Sequence, residues 1–155
     1  MITPFMVYLI FVLLVLILCL VKPNAGRIFI GVFFLIMAIG INVVTVIVAP
    51  SSYIEMGKNA IIPFYRWVFL NIIALNPALF VLPIAAFQIT VALMMLNKKK
   101  YVKIGLGGGI IFLLAVMWLG VESLPNLVLA LALALLIRQE FDATLLDIVR
   151  AKSRS

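Results

Sequence analysis

Six side chains in this sequence could hold a polar group in otherwise apolar surroundings: Asn42, Tyr65, Arg66, Asn71, Asn76 and Glu122. Amides and a phenol donate and accept hydrogen bonds, while a guanidinium and a carboxylate add fixed charge. None of the six has a neighbour in sequence that would turn it into a nucleophile. The chain has no histidine, which removes the commonest proton shuttle and metal ligand. Its single cysteine, Cys19, lies inside an apolar run, so an intramolecular disulfide is excluded. With no nucleophile–base pair, metal-ligand cluster or thiol pair, the residues point to binding rather than bond-making. They name no catalytic group and no cofactor, and they do not decide whether the chain is an enzyme.

The elements that must position these residues are set by composition. The chain of 155 residues is 67% hydrophobic and only 11% charged. A soluble domain is about half apolar and about a quarter charged. The apolar residues fall in continuous runs near the ~20 residues that a helix needs to cross a bilayer, which favours helices over the alternating strands of a barrel. The expectation is an all-α, polytopic membrane protein forming one domain. Five transmembrane helices are predicted at about 4–21, 28–49, 67–96, 104–121 and 124–137, with a tail over 138–155. The first run lacks a basic leader and a small-residue cleavage site, so it reads as a retained anchor. The third is long for one crossing. Pro77 and Pro83 are expected to bend or interrupt it, since proline removes a backbone donor and clashes with the preceding turn.

Charge decides the count and the orientation. Residues 104–137 form a stretch of 34 residues, about 50 Å as one helix, too long for a single crossing. With five spans, ten of the twelve basic residues share one side: Lys22, Arg27, Lys98, Lys99, Lys100, Lys103, Arg138, Arg150, Lys152 and Arg154. Only Lys58 and Arg66 lie opposite. Four spans would divide them six and six. The positive-inside rule therefore predicts a multi-pass cell-membrane protein with its N-terminus outside and its C-terminus cytoplasmic. The same grouping explains the net charge of +7 without a nucleic acid partner. The partners expected are the lipid bilayer and a membrane protein, or a second copy of the chain.

On this topology Asn42 and Thr45 lie in the outer half of span two. Asn71 and Asn76 lie in the outer part of span three, with Gln88 and Thr90 deeper. Each amide alone is best read as interhelical glue, but their grouping toward one side points to a shared polar pocket. Arg66 and Glu122 fall near the outer boundary, where an ion pair could close a cavity or meet a polar head group. Trp67 and Trp118 fit an interfacial belt. Gly105, Gly107, Gly108 and Gly109 lack the lysine ending of a phosphate loop and fit close helix packing. Lys98–Lys100 fits topology and contact with anionic lipid. Leu145, Leu146, Ile148 and Val149 suggest a short amphipathic helix in the tail.

Gly26-Arg27-Ile28-Phe29-Ile30-Gly31-Val32-Phe33-Phe34 opens a span, and Phe80 to Leu96 runs into Asn97-Lys98-Lys99-Lys100. With Asn126-Leu127-Val128-Leu129-Ala130-Leu131-Ala132, this pattern over roughly residues 27–138 resembles the DoxX-like family of small integral membrane proteins. The resemblance implies a compact four-helix bundle, to which span one adds an N-terminal helix. Members of that family are linked to quinone-coupled sulfur oxidation and to oxidative-stress complexes. Two departures stand against carrying a redox role across: Gln88 stands where the family often has an acid, and Ala92 or a neighbour where a glycine is usual. The leading expectation is a bundle that binds an apolar or amphiphilic ligand, or a partner membrane subunit, in its outer half. The alternatives are a quinone-interacting oxidoreductase subunit of DoxX type and a small transporter or channel. The lack of a carboxylate at the membrane centre argues against proton coupling.

Overall fold

The structure is a computed structural model and describes residues 3–154. Helix α1 (Pro4–Val21) begins where the Thr3 hydroxyl accepts the Met6 N–H at 3.3 Å and Pro4 takes the first helical position, where its missing N–H costs nothing. After Lys22, α2 (Pro23–Leu35), a π-helical stretch (Ile36–Val43) and α3 (Val44–Val48) run on as one helix of 26 residues. Two short helices follow, α4 (Ser52–Lys58) and α5 (Pro63–Asn71), the second continued by a 3₁₀ turn at Ile73–Leu75. Then come α6 (Pro77–Met95), α7 (Lys100–Val116), α8 (Asn126–Ile137) and α9 (Leu145–Ser153). Further 3₁₀ turns at Met117–Leu119 and Val121–Ser123 connect α7 to α8.

Among the described residues, four helical runs are long and apolar enough to cross a membrane: Pro4–Val21, Pro23–Val48, Pro77–Met95 and Lys100–Leu119. Val121–Ile137 is apolar but shorter. The long third run of the sequence is divided, with α5 and α6 meeting at an extended Asn76. The Asn76 side chain accepts the Leu79 N–H at 3.2 Å and Pro77 opens the new helix, so the break is a helix start. Pro83, by contrast, sits within α6. There it deprives the Leu79 carbonyl of its usual helical donor.

The long helices close into a ring. Each of α1, α2, α6, α7 and α8 packs on the next, and α8 returns to α1. Helix α1 is thus a stave of the bundle and contributes Val12, Val15 and Cys19 to the main core. That core fills one end, with Ile30, Met95, Val102, Leu106 and Leu133 fully enclosed. Glycines draw the helices together there. A Cβ on Gly26 would lie 2.6 Å from Cys19 Sγ, and one on Gly105 2.7 Å from the Met95 nitrogen and 2.9 Å from the Val91 oxygen. In the glycine run, Gly105, Gly108 and Gly109 sit at such close contacts, while Gly107 faces open space.

The loops at this end are locked by Arg27, which is fully buried. Its Nη1 donates to the Asn97 carbonyl at 2.5 Å, and its Nη2 to Asn24 Oδ1 at 2.6 Å and the Ala143 carbonyl at 3.0 Å. Its guanidinium also stands 4.7 Å from the centre of the Phe141 ring, a cation–π contact. Backbone bonds from Lys99 to Phe141 (2.7 Å) and from Leu145 to Leu96 (3.0 Å) tie the same two loops. Lys99, at φ 53°, is the one non-glycine residue with positive φ among those described. Helix α9 leaves this end as the expected amphipathic element, with Leu146 and Val149 exposed. A capping box of Thr144 and Asp147 starts it.

Candidate functional site

At the opposite end the ring is hollow. A cavity of about 1150 Å³ lies inside it, somewhat above the usual ~300–1,000 Å³ of ligand sites. The N-terminal turns of α1 contribute Tyr8 and Phe11, and the second half of the long α2–α3 helix contributes Met37 and Asn42. The first half of α6 gives Gln88, the last turns of α7 give Phe112 and Val116, and the start of α8 gives Asn126. Because successive staves run in opposite directions, these stretches all fall at one end. The walls are mostly aromatic and aliphatic, and the polar atoms are few.

Four of the polar side chains are joined in two pairs that link elements. Tyr8 Oη donates to Asn126 Oδ1 at 2.5 Å, tying α1 to α8. Asn42 Nδ2 donates to Gln88 Oε1 at 2.8 Å, tying the π-helical stretch to α6. The Asn42 carbonyl in turn accepts Tyr53 Oη at 3.1 Å, which brings α4 to the cavity. A π-helical stretch winds wider than an α-helix and is often found at functional sites. Here it sets the rotation that brings Asn42 to Gln88.

Helices α4 and α5 form a lid over this end. Tyr53, Met56, Tyr65, Phe69 and Ile73 line the cavity from it. The lid packs on α3 and α6 through a small core of Val46, Tyr53, Ile73 and Val81. Gly57 allows it to pack tightly, since a Cβ there would lie 2.4 Å from Phe69 Cβ. The Ile61 N–H donates to the Trp118 carbonyl at 2.9 Å and fastens the lid to the 3₁₀ turn that follows α7.

Of the six residues singled out in the sequence, the structure brings Asn42 and Tyr65 to the cavity. Arg66 is exposed and donates to the Ala60 carbonyl at 3.2 Å, bracing the lid. Asn71 bonds back to the Trp67 carbonyl within its own helix at 2.9 Å, and Asn76 caps α6. Glu122 borders a separate, smaller pocket with Glu55 and Asn59. Arg66 and Glu122 are not joined: the ion pairs among the described residues are Lys58–Glu55 at 2.7 Å and Lys103–Glu140 at 2.6 Å. Sequence reasoning did not select Tyr8, Tyr53 and Asn126 as candidates, and read Gln88 only as a deep polar residue. A tyrosine one turn into an apolar span and an asparagine opening another were the available signals.

No protein-family model matches this chain, and comparisons with curated proteins and with solved structures give no match.

Proposed function

We propose that this is a five-span membrane protein that holds an amphiphilic ligand in the hollow outer half of its bundle. The observation that carries the reading is the cavity of about 1150 Å³ with an apolar wall and polar atoms of Tyr8, Asn42, Gln88 and Asn126. Apolar walls with a few placed polar groups are what a ligand site offers. These groups are already paired, Tyr8 with Asn126 and Asn42 with Gln88, and each amide keeps further donors and acceptors that a head group can meet. Helix α8 with its leading turn supplies the fifth crossing. At about 25 Å it is short for a ~30 Å core, but α1 and α7 flank it, and local thinning accommodates such a mismatch at modest cost. The charge asymmetry puts the cavity on the outer face and the Arg27 end inside.

The test is extraction. Protein purified in mild detergent is compared with Val116→Trp, which sets a bulky indole in the cavity, by mass spectrometry of what each retains per folded molecule. The expected result is an amphiphile on the native chain that is at least tenfold depleted on the variant, at similar thermal stability. Equal retention by both sinks the reading. A bound quinone would favour the redox-subunit role that the DoxX-like resemblance implies. Solute flux in liposomes would favour a transporter.

A further inference from the structure

We infer that the occupant is a bilayer lipid whose acyl chains enter sideways, through a cleft between α6 and α7. The inference rests on the cavity reading above and adds the ligand class and its route. Helices α6 and α7 touch backbone to backbone at the closed end, at Gly105. One turn on, a Cβ on Gly108 would still lie 2.7 Å from Val91 Cγ2. Toward the open end, the same side of α7 presents Ala115, with Ile111 beside it, and the same side of α6 presents Ile84 and Phe87, with Pro83 beside them. The spacings of three and four residues put 108 in line with 115 and 91 in line with 87 and 84. Yet the cleft-side residues Pro83, Ile84, Phe87, Ile111 and Ala115 all line the cavity. They are also exposed, Ile111 by 67%, Phe87 by 44% and Ile84 by 43%. The Phe87 ring still reaches α7, 3.7 Å from a Cβ on Gly108, and beyond it both faces border the cavity, so the opening lies between Pro83–Ile84 and Ile111–Ala115.

The chemistry of the cleft selects the occupant. Both helices are long and apolar enough to cross a membrane, so the cleft opens toward acyl chains. Its border carries no polar side chain. On α6, Gln88 is turned inward, only 2% exposed, and the exposed Thr90, a turn from Phe87, donates its hydroxyl to the Ala86 carbonyl at 2.9 Å. From the aqueous side the lid stands over the same cavity, held by the bonds to Trp118 and Asn42. A lipid can pass its chains through the apolar cleft. Its head group then stays level with Tyr65, Ser123 and Asn126, near the surface. A water-soluble ligand would have to displace the lid.

The full chain is reconstituted in phosphatidylethanolamine–phosphatidylglycerol vesicles containing a small fraction of phosphatidylglycerol with a diazirine at the acyl terminus. After photolysis, peptide mapping should find adducts inside the cavity, at Met37 and Phe112, as well as at the cleft. In a Cys19→Ala background, Ile84→Cys and Ala115→Cys are then bridged by a short bismaleimide. Bridging should reduce interior adducts at least tenfold and leave adducts on outward-facing residues, while the unbridged double variant labels like the parent. Interior labelling unchanged by the bridge would overturn the route and leave the cavity reading standing. Failure of two maleimide-reactive cysteines to bridge would also overturn the route, because the faces would not be opposed. Absence of interior adducts in the parent, with the outer surface labelled, would overturn both.

Discussion

At the scale of single residues, Arg27 shows how a buried cation can be held without an acid. Three acceptors and an aromatic face replace the countercharge. The planar fork reaches two loops at once, which a lysine ammonium cannot do. Hydrogen bonds to a charged group contribute about 1.5–3 kcal/mol each. Arg27→Lys keeps the charge and should still lower stability by at least ~2 kcal/mol, read as a drop in thermal unfolding temperature in detergent. An unchanged transition would mean that the bonds between the loops alone hold this end. Arg27 also shows where sequence reading stops. It counts correctly as a basic residue at a span end, but its burial depends on loops about 70 and 116 residues away. The same limit separates Asn42 from Asn71 and Asn76. All three are amides in apolar runs. The two that bond locally could have been assigned from Asn76-Pro77 as a helix start and Trp67–Asn71 as an i, i+4 pair. The one at the cavity depends on Gln88, 46 residues on.

At the scale of elements, the glycines on α7 make opposite predictions two residues apart. Gly105→Ala must push a methyl against backbone atoms of α6, and backbone cannot step aside. It should cost about 1–3 kcal/mol. Gly107 has nothing within 4 Å of its would-be Cβ, so Gly107→Ala should be neutral or gain up to ~1 kcal/mol from helix propensity. Denaturation of the two variants side by side measures the difference, and equal effects would remove the crossing at Gly105. Helix α9 responds to pH through its cap. Hydrogen bonds from the Thr144 backbone and then its side chain hold the Asp147 carboxyl below the ordinary carboxylate range. A depressed folded value means that the stabilisation is present above the unfolded pKa near ~3.9 and is lost as pH falls through the folded one. Carbon chemical shifts over 145–153 should stay helical at pH 5 and drift toward coil below about pH 4, and Asp147→Asn should drift at both. The existence of the helices was legible because hydropathy and proline positions are local. The π-helical stretch was not, because its register is set by what Asn42 and its neighbours pack against.

At the scale of the whole molecule, the alternation of helix direction gathers Lys22, Arg27, the Lys98–Lys103 loop and residues 138–145 at one end, through bonds that cross between them. Lys58 and Arg66 lie in the lid at the other. If five spans cross the membrane, Ser52→Cys in the lid should react with an impermeant maleimide from outside intact cells. Ser153→Cys in the tail should react only after permeabilisation. Labelling of both from outside would remove the fifth crossing. The ring order, α1 beside α8, could not be read from hydropathy, because every stave is apolar on more than one face. That order has a consequence for traffic. The Arg27 end is stoppered by fully enclosed aliphatic side chains and by glycine-tight crossings, so a lipid that entered by the proposed cleft would leave by the same cleft. On the proposed reading the cavity has one mouth, and net passage from one side to the other would require the Arg27 end to open. Residence time is then the quantity such a protein can tune, and the mouth is where changes in it would be written.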